Sequence, residues 1–212
     1  MFAVTVYLMV QLASNMDKKF FILIGRSGSG KGTQAELLQT YLNNQGAQDI
    51  KYLTTGKSFR SFSEGNSYTA KKIKSLIDAG GLCPESFATW NVTNLFVQNV
   101  EEGTNVLLDG SPRRFEEAKM LEETIDFYEY KNIYVLYLNV NNQWSTDRLN
   151  SRGRADDMKT GIESRLSWFD REVLPIVEYY SKNTKYKFLD INGMQSIEDV
   201  HNEIINIIKN VS

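Results

Sequence analysis

The sequence FFILIGRSGSGKGT at residues 20–33 decides the fold. It opens with a short apolar run that ends in glycine, a pattern typical of a strand buried on both faces. A glycine-rich turn follows and leads into a helical pattern at about residues 31–43, with Ala35, Leu38 and Leu42 on one stripe. A strand, a glycine-rich loop and a helix in this order predict a loop whose backbone amides surround an anion.

The remaining strands of the predicted sheet are similar apolar runs, separated from one another by helical patterns. They lie at residues 50–53, 105–108, 133–140 and 186–191. Alternating strands and helices favour an α/β fold, in which helices cover both faces of a parallel sheet. Pro175 should kink or divide the helix that precedes the last strand, because proline cannot donate the helical hydrogen bond.

The stretch between the second and third strands holds several helical patterns. Its helical patterns cover about residues 57–63, 67–79 and 84–101, and it has no strand signal. We therefore expect a small helical insertion beside the sheet. At the other end of the chain, Ser196 begins a capping-box pattern, SIED, which predicts the start of the last helix.

Composition excludes several classes of function. The chain has 212 residues, with 24 Lys and Arg against 26 Asp and Glu, so it has no basic field for binding nucleic acid. One cysteine, Cys83, and one histidine, His201, exclude an internal disulfide and a Cys/His-rich zinc site. His201 is also far in sequence from any nucleophile that it would activate. We expect a folded protein of a reducing compartment, in the cytoplasm.

The first residues of the chain need a separate interpretation. Residues 2–12 are apolar, but no basic residue precedes them and they are too short to span a bilayer as a helix. A start at Met16 would lead directly into the first strand. We therefore interpret residues 1–15 as an extension and residues 16–212 as one domain, with no membrane partner.

The glycine-rich loop has the residues that nucleotide phosphates need. Glycines allow the amides to turn inward, the helix N-terminus adds partial positive charge, and Lys31 can reach the terminal phosphates. Gly32 stands where a magnesium-binding hydroxyl usually follows the lysine, and Thr33 comes one place later. Magnesium must therefore be held differently, and Asp109, which ends the third strand, can orient it directly or through water. The alternative for Asp109 is an ordinary turn residue.

Arginines supply the third chemical element. Arg113 follows Asp109 closely, at the edge of the sheet where ligands of open α/β folds bind. Further arginines cluster later in the chain, at Arg148, Arg152, Arg154 and Arg165. A solvated helix face would explain such a run, but several planar donors are also what the charge of a transferring phosphoryl group requires.

With these motifs together, the chain resembles the adenylate kinase family of nucleoside monophosphate kinases from about residue 20 to its end. The resemblance rests on GRSGSGKGT, TTGKSFR at 54–60, GGLCPE at 80–85, LLDGSPRR at 107–114 and RLNSRGRADD at 148–157. It implies a phosphate-loop NTPase fold with a five-stranded parallel sheet, a monophosphate-binding insertion at about 54–84 and a very short lid at about 152–157. It also implies ATP and a nucleoside monophosphate as partners, Mg²⁺ as cofactor, and a monomer.

The same resemblance implies roles for individual residues. ATP would be bound by Gly28, Ser29, Gly30, Lys31, Gly32, Thr33, Arg148 and Arg152. The monophosphate would be bound by Thr55, Gly56, Arg60, Cys83, Gly110, Arg113, Glu117, Arg154 and Arg165. The catalytic residues would be Lys31, Asp109, Arg113, Arg152, Arg154 and Arg165, with Asp109 on the metal and Asp156 restraining the arginines.

Three departures from the family pattern concern the acceptor base. Glu117 replaces the glutamine that reads adenine, Lys57 replaces an aspartate and Ser111 a phenylalanine. A carboxylate only accepts hydrogen bonds, so it suits the two donors of guanine better than N1 of adenine. AMP is the first expectation from the family, with GMP or a pyrimidine monophosphate as competitors. Alternatively, Glu117 faces solvent, or water or Lys57 neutralises it.

Two other functions compete with a nucleoside monophosphate kinase. The departures would also suit a catalytically weak nucleotide-binding module that acts as a sensor or scaffold. Against this, Lys31, Asp109 and Arg113 are all retained. A kinase of another small metabolite is disfavoured by the full-length insertion. The three tryptophans, Trp90, Trp144 and Trp168, are predicted to be packing residues.

Overall fold

The central element is one sheet of five parallel strands. The computed structural model describes residues 18–47, 49–153 and 159–211. The strands are β1 (Lys19–Gly25), β2 (Ile50–Thr54), β3 (Asn105–Asp109), β4 (Asn132–Asn139) and β5 (Lys187–Asn192). Each lies within one residue of its predicted position, and their order in the sheet is β2-β3-β1-β4-β5. The predicted α/β fold is confirmed.

Helices connect the strands and cover the sheet. They are α1 (Lys31–Asn44), α2 (Thr55–Ser63), α3 (Tyr68–Asp78), α4 (Glu85–Asn99), α5 (Phe115–Phe127), α6 (Asn142–Arg152), α7 (Lys159–Trp168), α8 (Leu174–Lys182) and α9 (Ile197–Val211). In the parts of the chain that the structure describes, no helix is both long enough and apolar enough to span a membrane.

Strand β1 has a core on each face, as its unbroken apolar sequence predicts. Phe20, Ile22 and Ile24 pack on one face against α4, α5 and α8. Phe21 and Leu23 pack on the other face against α1 and α9. All five side chains are at most 3% exposed. Burying such side chains stabilises the fold by roughly 1.5–3 kcal/mol each, so β1 anchors the loop that follows it.

Strand register brings the functional sequences to one edge. Leu23 of β1 pairs with Asp109 of β3, and Asp109 also pairs with Thr54 of β2. Because the strands are parallel, the loop after β1 and the ends of β2 and β3 lie together. Between β2 and β3 the chain forms α2, α3 and α4 without a strand, as expected. A small cluster of Phe59, Ile73 and Cys83 packs α2 against α3.

The predicted interruption at Pro175 is confirmed and has a specific form. Residues Phe169–Val173 form a π-helical turn between α7 and α8, and Pro175 is the second residue of α8. Proline has no N–H to donate to the carbonyl four residues earlier, so the helix widens immediately before it. The turn joins the arginine-bearing helix α7 to the helix that packs under the sheet.

Candidate active site

The phosphate loop forms the floor of the site. Gly28 and Gly30 have φ angles of 83° and 93°, a left-handed conformation that glycine adopts without strain. A Cβ atom at Gly28 would also lie 2.9 Å from the carbonyl oxygen of Ser145. Gly30 is the N-cap of α1 and has no capping side chain. The first amides of α1 therefore remain available to an anion.

Lys31 lies against the loop that precedes it. Its Nζ donates to the carbonyl oxygens of Gly25 at 2.8 Å and Arg26 at 3.0 Å. Burial lowers the pKa of this ammonium group, while the nearby Asp109 carboxylate raises it. The loop thus holds a cation beside its own amides, where phosphate oxygens would meet both.

Asp109, at the end of β3, is held by Tyr52 of β2 and by Thr55, the first residue of α2. The Tyr52 hydroxyl donates to Asp109 Oδ2 at 3.0 Å, and the Thr55 hydroxyl donates to the Asp109 carbonyl at 3.4 Å. The described residues contain no group of three or more Asp, Glu, His or Cys side chains that could enclose a metal. A single carboxylate beside phosphates nevertheless fits Mg²⁺, which keeps several waters and takes few protein ligands.

One cavity of about 750 Å³ connects these groups with the helical insertion. Its volume is in the range of small-molecule sites, roughly 300–1,000 Å³. The predicted site residues that line it are Gly28, Gly30, Lys31, Gly32, Thr33, Thr55, Gly56, Arg60, Cys83, Asp109, Gly110, Arg113, Glu117, Arg148, Arg152 and Arg165. Ser29 is 4% exposed and is not among the cavity-lining residues. Arg154 and Asp156 lie outside the described residues.

Two arginines converge at the monophosphate end of the cavity. A Cβ atom at Gly56 would lie 3.3 Å from Arg60 Nη1 and 3.9 Å from Arg113 Nη2. The absence of a side chain at Gly56 therefore leaves room for both guanidinium groups. Arg113 also lies over the ring of Trp168, with 5.5 Å between its Cζ and the ring centroid. Two planar donors at one point are suited to a phosphate group.

The later arginines line the opposite wall. Arg148 lies over the Trp144 ring at 4.9 Å on α6. Arg152 is the last residue of α6, and Gly153, which follows it, has a left-handed φ of 63°. Arg165 on α7 is 8% exposed. Arg148, Arg152 and Arg165 all line the cavity, so this wall carries positive charge.

Glu117 is buried beside the monophosphate end. It is 4% exposed, so the alternative that it faces solvent is wrong. Its Oε2 accepts from the Arg113 N–H at 2.8 Å, and its Oε1 is 4.0 Å from Arg114 Nη1. Burial raises the pKa of this carboxyl group. The hydrogen bond from the Arg113 amide and the charges of Arg113 and Arg114 lower it, but burial is the larger effect. Lys57 is exposed and also lines the cavity.

Three residues at the site were missed or misinterpreted from the sequence. Tyr52 had no pattern to distinguish it from any other strand tyrosine. Arg26 pairs with Asp170 of the π turn and donates through Nε to Asn142 Oδ1 at 2.7 Å. Trp168 is buried as predicted, but it also lines the cavity. Only the folded chain brings these partners together, because they are 57 to 144 positions apart.

A five-stranded parallel sheet with a phosphate loop and an arginine-lined cavity defines the phosphate-loop NTPase class. The family model described as "Adenylate kinase" matches residues 23–185. The chain therefore belongs to the adenylate kinase family, and it is an ATP-dependent nucleoside monophosphate kinase.

Curated adenylate kinases match this chain over nearly their whole length. An adenylate kinase of Corynebacterium urealyticum is 33% identical over 179 residues, covering 84% of this chain and 93% of that protein. One of Oenococcus oeni is 30% identical over 196 residues, covering 91% and 99%. Adenylate kinase 1 of a Nostoc species is 32% identical over 186 residues, covering 86% and 95%. These matches give no support to a non-catalytic nucleotide-binding module.

Proposed function

We propose that this enzyme transfers the γ-phosphate of ATP reversibly to AMP, giving two molecules of ADP. The observation that carries the proposal is the cavity that joins the phosphate loop to the converging Arg60 and Arg113. Donor and acceptor phosphates bound at these two ends would face each other across one cavity. Positioning of this kind can supply much of the rate of a phosphoryl transfer.

The donor end binds the triphosphate. Loop amides and the N-terminus of α1 would surround the β-phosphate, and Lys31 would exchange its two carbonyl partners for phosphate oxygens. Asp109 would hold Mg²⁺ through water, and the ion would neutralise charge on the phosphates. Arg148, supported by Trp144, would lie against the ATP base.

The acceptor end orients the nucleophile. Arg60 and Arg113 would bind the phosphate of AMP, whose oxygen is already a competent nucleophile, so no general base is required. Arg152 and Arg165 would lie along the transferred group and stabilise charge that develops on it. Arg154 would complete this set.

Glu117 bears on the choice of base. An ionised carboxylate would repel N1 of adenine, whereas a protonated carboxyl group has a donor and an acceptor, as an amide has. Burial raises the pKa of Glu117, so its protonated form persists to a higher pH than in an exposed carboxyl group. AMP is therefore compatible with Glu117 while the carboxyl group is protonated, and GMP is the competitor when it is ionised.

An assay of diphosphate formation tests the proposal. Purified enzyme with ATP and Mg²⁺ is given AMP, GMP, CMP or UMP in turn, and Lys31→Ala serves as the blank. We expect the highest kcat/KM with AMP and a loss of roughly 100- to 1,000-fold in Lys31→Ala. Lys71→Ala, which removes an exposed lysine of α3, is the matched control. No turnover with any monophosphate would overturn the proposal.

The oligomeric state and location stay predictions. The family resemblance favours a monomer in the cytoplasm. Light scattering checks the first point, with an expected mass of 24.3 kDa for one chain. Fractionation of the source cells, followed by detection of the protein, checks the second.

A further inference from the structure

The segment between α3 and α4 is held from the side of α7. The Gly80 carbonyl accepts a hydrogen bond from Trp168 Nε1 at 3.0 Å and another from Ser164 Oγ at 3.3 Å. Gly80 belongs to the monophosphate side of the cavity, whereas Trp168 and Ser164 belong to the helix that carries Arg165. These two bonds therefore join the two sides of the site.

The backbones are also in close contact at this point. A Cβ atom at Gly80 would lie 2.7 Å from the Cα of Gly161, which is on α7. Glycine at Gly80 lets the chain approach closely enough for its carbonyl to reach the indole. The φ of Gly80 is 70°, a second reason for glycine there.

Trp168 contributes a ring face as well as a donor. The side chain is 8% exposed and lines the cavity. The guanidinium of Arg113 lies over its ring at 5.5 Å. A cation at this distance from an indole is attracted by the electron density of the ring face. One side chain thus contacts both Gly80 and an arginine that the proposed mechanism places on the acceptor phosphate.

The segment after Gly80 is also held at Cys83, which packs against Phe59 and Ile73. Residues 81–84 have no regular secondary structure, and Gly81 and Cys83 line the cavity. The Cys83 carbonyl accepts from Arg114 Nη1 at 2.6 Å, on the side of α5. Side chains from two directions therefore contact the segment: Trp168 of α7 at Gly80, and Arg114, which immediately precedes α5, at Cys83.

We propose that Trp168 is a positioning residue for the acceptor nucleotide: its N–H fixes Gly80, and its ring orients Arg113. The inference rests on the proposed function, because it assigns Arg113 to the monophosphate. It predicts that Trp168 affects the monophosphate selectively. A residue that served only for packing would affect both nucleotides equally.

The variant Trp168→Phe tests chiefly the donor, since it removes the N–H and keeps an aromatic ring, although a smaller one. We expect the KM for AMP to rise about threefold to tenfold, the range for one lost hydrogen bond, with the KM for ATP unchanged. Calorimetric titration with AMP, without ATP or Mg²⁺, should show the same loss in affinity. Trp168→Leu also removes the ring, and its loss should be larger and should include kcat.

Two other variants complete the test. Trp90→Phe changes a tryptophan that is 44% exposed and should leave both KM values unchanged. Ser164→Ala removes the second donor to Gly80 and should give a smaller rise in the KM for AMP, and it decides the question if Trp168→Phe does not fold. Equal changes for AMP and ATP, or no change, would overturn the inference. A wild-type enzyme inactive with every monophosphate would instead overturn the proposed function.

Discussion

The hydroxyl of Tyr52 donates to Asp109 Oδ2 at 3.0 Å, from the neighbouring strand. The contact fixes one oxygen of the carboxylate that the mechanism assigns to Mg²⁺. Tyr52 also lies close to the phosphate loop, because a Cβ atom at Gly32 would be 3.5 Å from its hydroxyl. Tyr52 is therefore placed to align Asp109 with the bound triphosphate.

Removing this hydroxyl should change the dependence on magnesium. In Tyr52→Phe we expect kcat to fall about threefold to tenfold at fixed Mg²⁺, as for the loss of one hydrogen bond. The concentration of Mg²⁺ required for half-maximal rate should rise. Tyr41→Phe, on α1 away from the cavity, is the matched control. An unchanged magnesium titration in Tyr52→Phe would show that Asp109 needs no such support.

Glu117→Gln should improve the use of AMP relative to GMP. The amide keeps an acceptor for the Arg113 N–H and adds a donor that does not depend on pH. One mismatched buried pair costs on the order of 1–3 kcal/mol, or about tenfold to a hundredfold. At a pH where the Glu117 carboxyl group is ionised, we therefore expect the ratio of kcat/KM for AMP to that for GMP to rise by at least about tenfold. A constant ratio would exclude Glu117 from base recognition.

The pH dependence of the wild-type enzyme gives an independent check. Burial raises the pKa of Glu117, so the carboxyl group is protonated at low pH and ionises as the pH rises through that pKa. Arg113 and Arg114 oppose this shift, and Glu85 adds to it. The KM for AMP should rise with pH and the KM for GMP should fall. Glu117→Gln, measured in parallel, corrects for titration of the nucleotide phosphates and should lack this divergence.

Substitution of Gly80 tests the close contact with α7, and substitution of Gly103 is its matched control. Both have left-handed φ angles, 70° and 81°, but a Cβ atom at Gly103 would have nothing within 4 Å. Each substitution by alanine should cost about 1–2 kcal/mol for its backbone conformation. Gly80→Ala should cost a further 1–3 kcal/mol or so from overlap with Gly161. Urea unfolding measures the free energy of unfolding of both variants. Equal losses of stability would mean that the backbone around Gly80 and Gly161 relaxes to admit the methyl group.

The ion pair of Arg26 with Asp170 should contribute modestly to stability. Arg26 is largely enclosed and lies over Phe169 at 4.5 Å, but the Asp170 side chain is 42% exposed, so solvent screens the pair. We expect Asp170→Asn to lower the free energy of unfolding by about 0.5–1 kcal/mol, less at high salt. Asp78→Asn breaks the more exposed pair with Lys74 and should cost only about 0.3 kcal/mol. A larger loss for Asp78→Asn would contradict this order.

Elements with a local signature were predictable from the sequence. The apolar run of β1, the glycines of the loop and the strand end at Asp109 have patterns that depend only on neighbouring residues. The burial of Glu117, by contrast, could not be predicted from neighbouring residues. Its position on a helix is readable, but its burial depends on α5 packing against the rest of the cavity. The same holds for Trp168, because the indole N–H donates to Gly80, which is 88 positions away in the sequence.

Because all five strands are parallel, their N-terminal ends lie at one edge of the sheet and the phosphate loop lies at the other. Every strand begins at the edge opposite the nucleotides, and the seven residues of β1 place about 20 Å between Lys19 and Gly25. A tag, a fluorescent fusion or a solid support joined ahead of Lys18 would therefore be anchored on the far side of the molecule. Immobilised in this way, the enzyme should keep its full access to substrates, which suits it to use as a surface-bound catalyst.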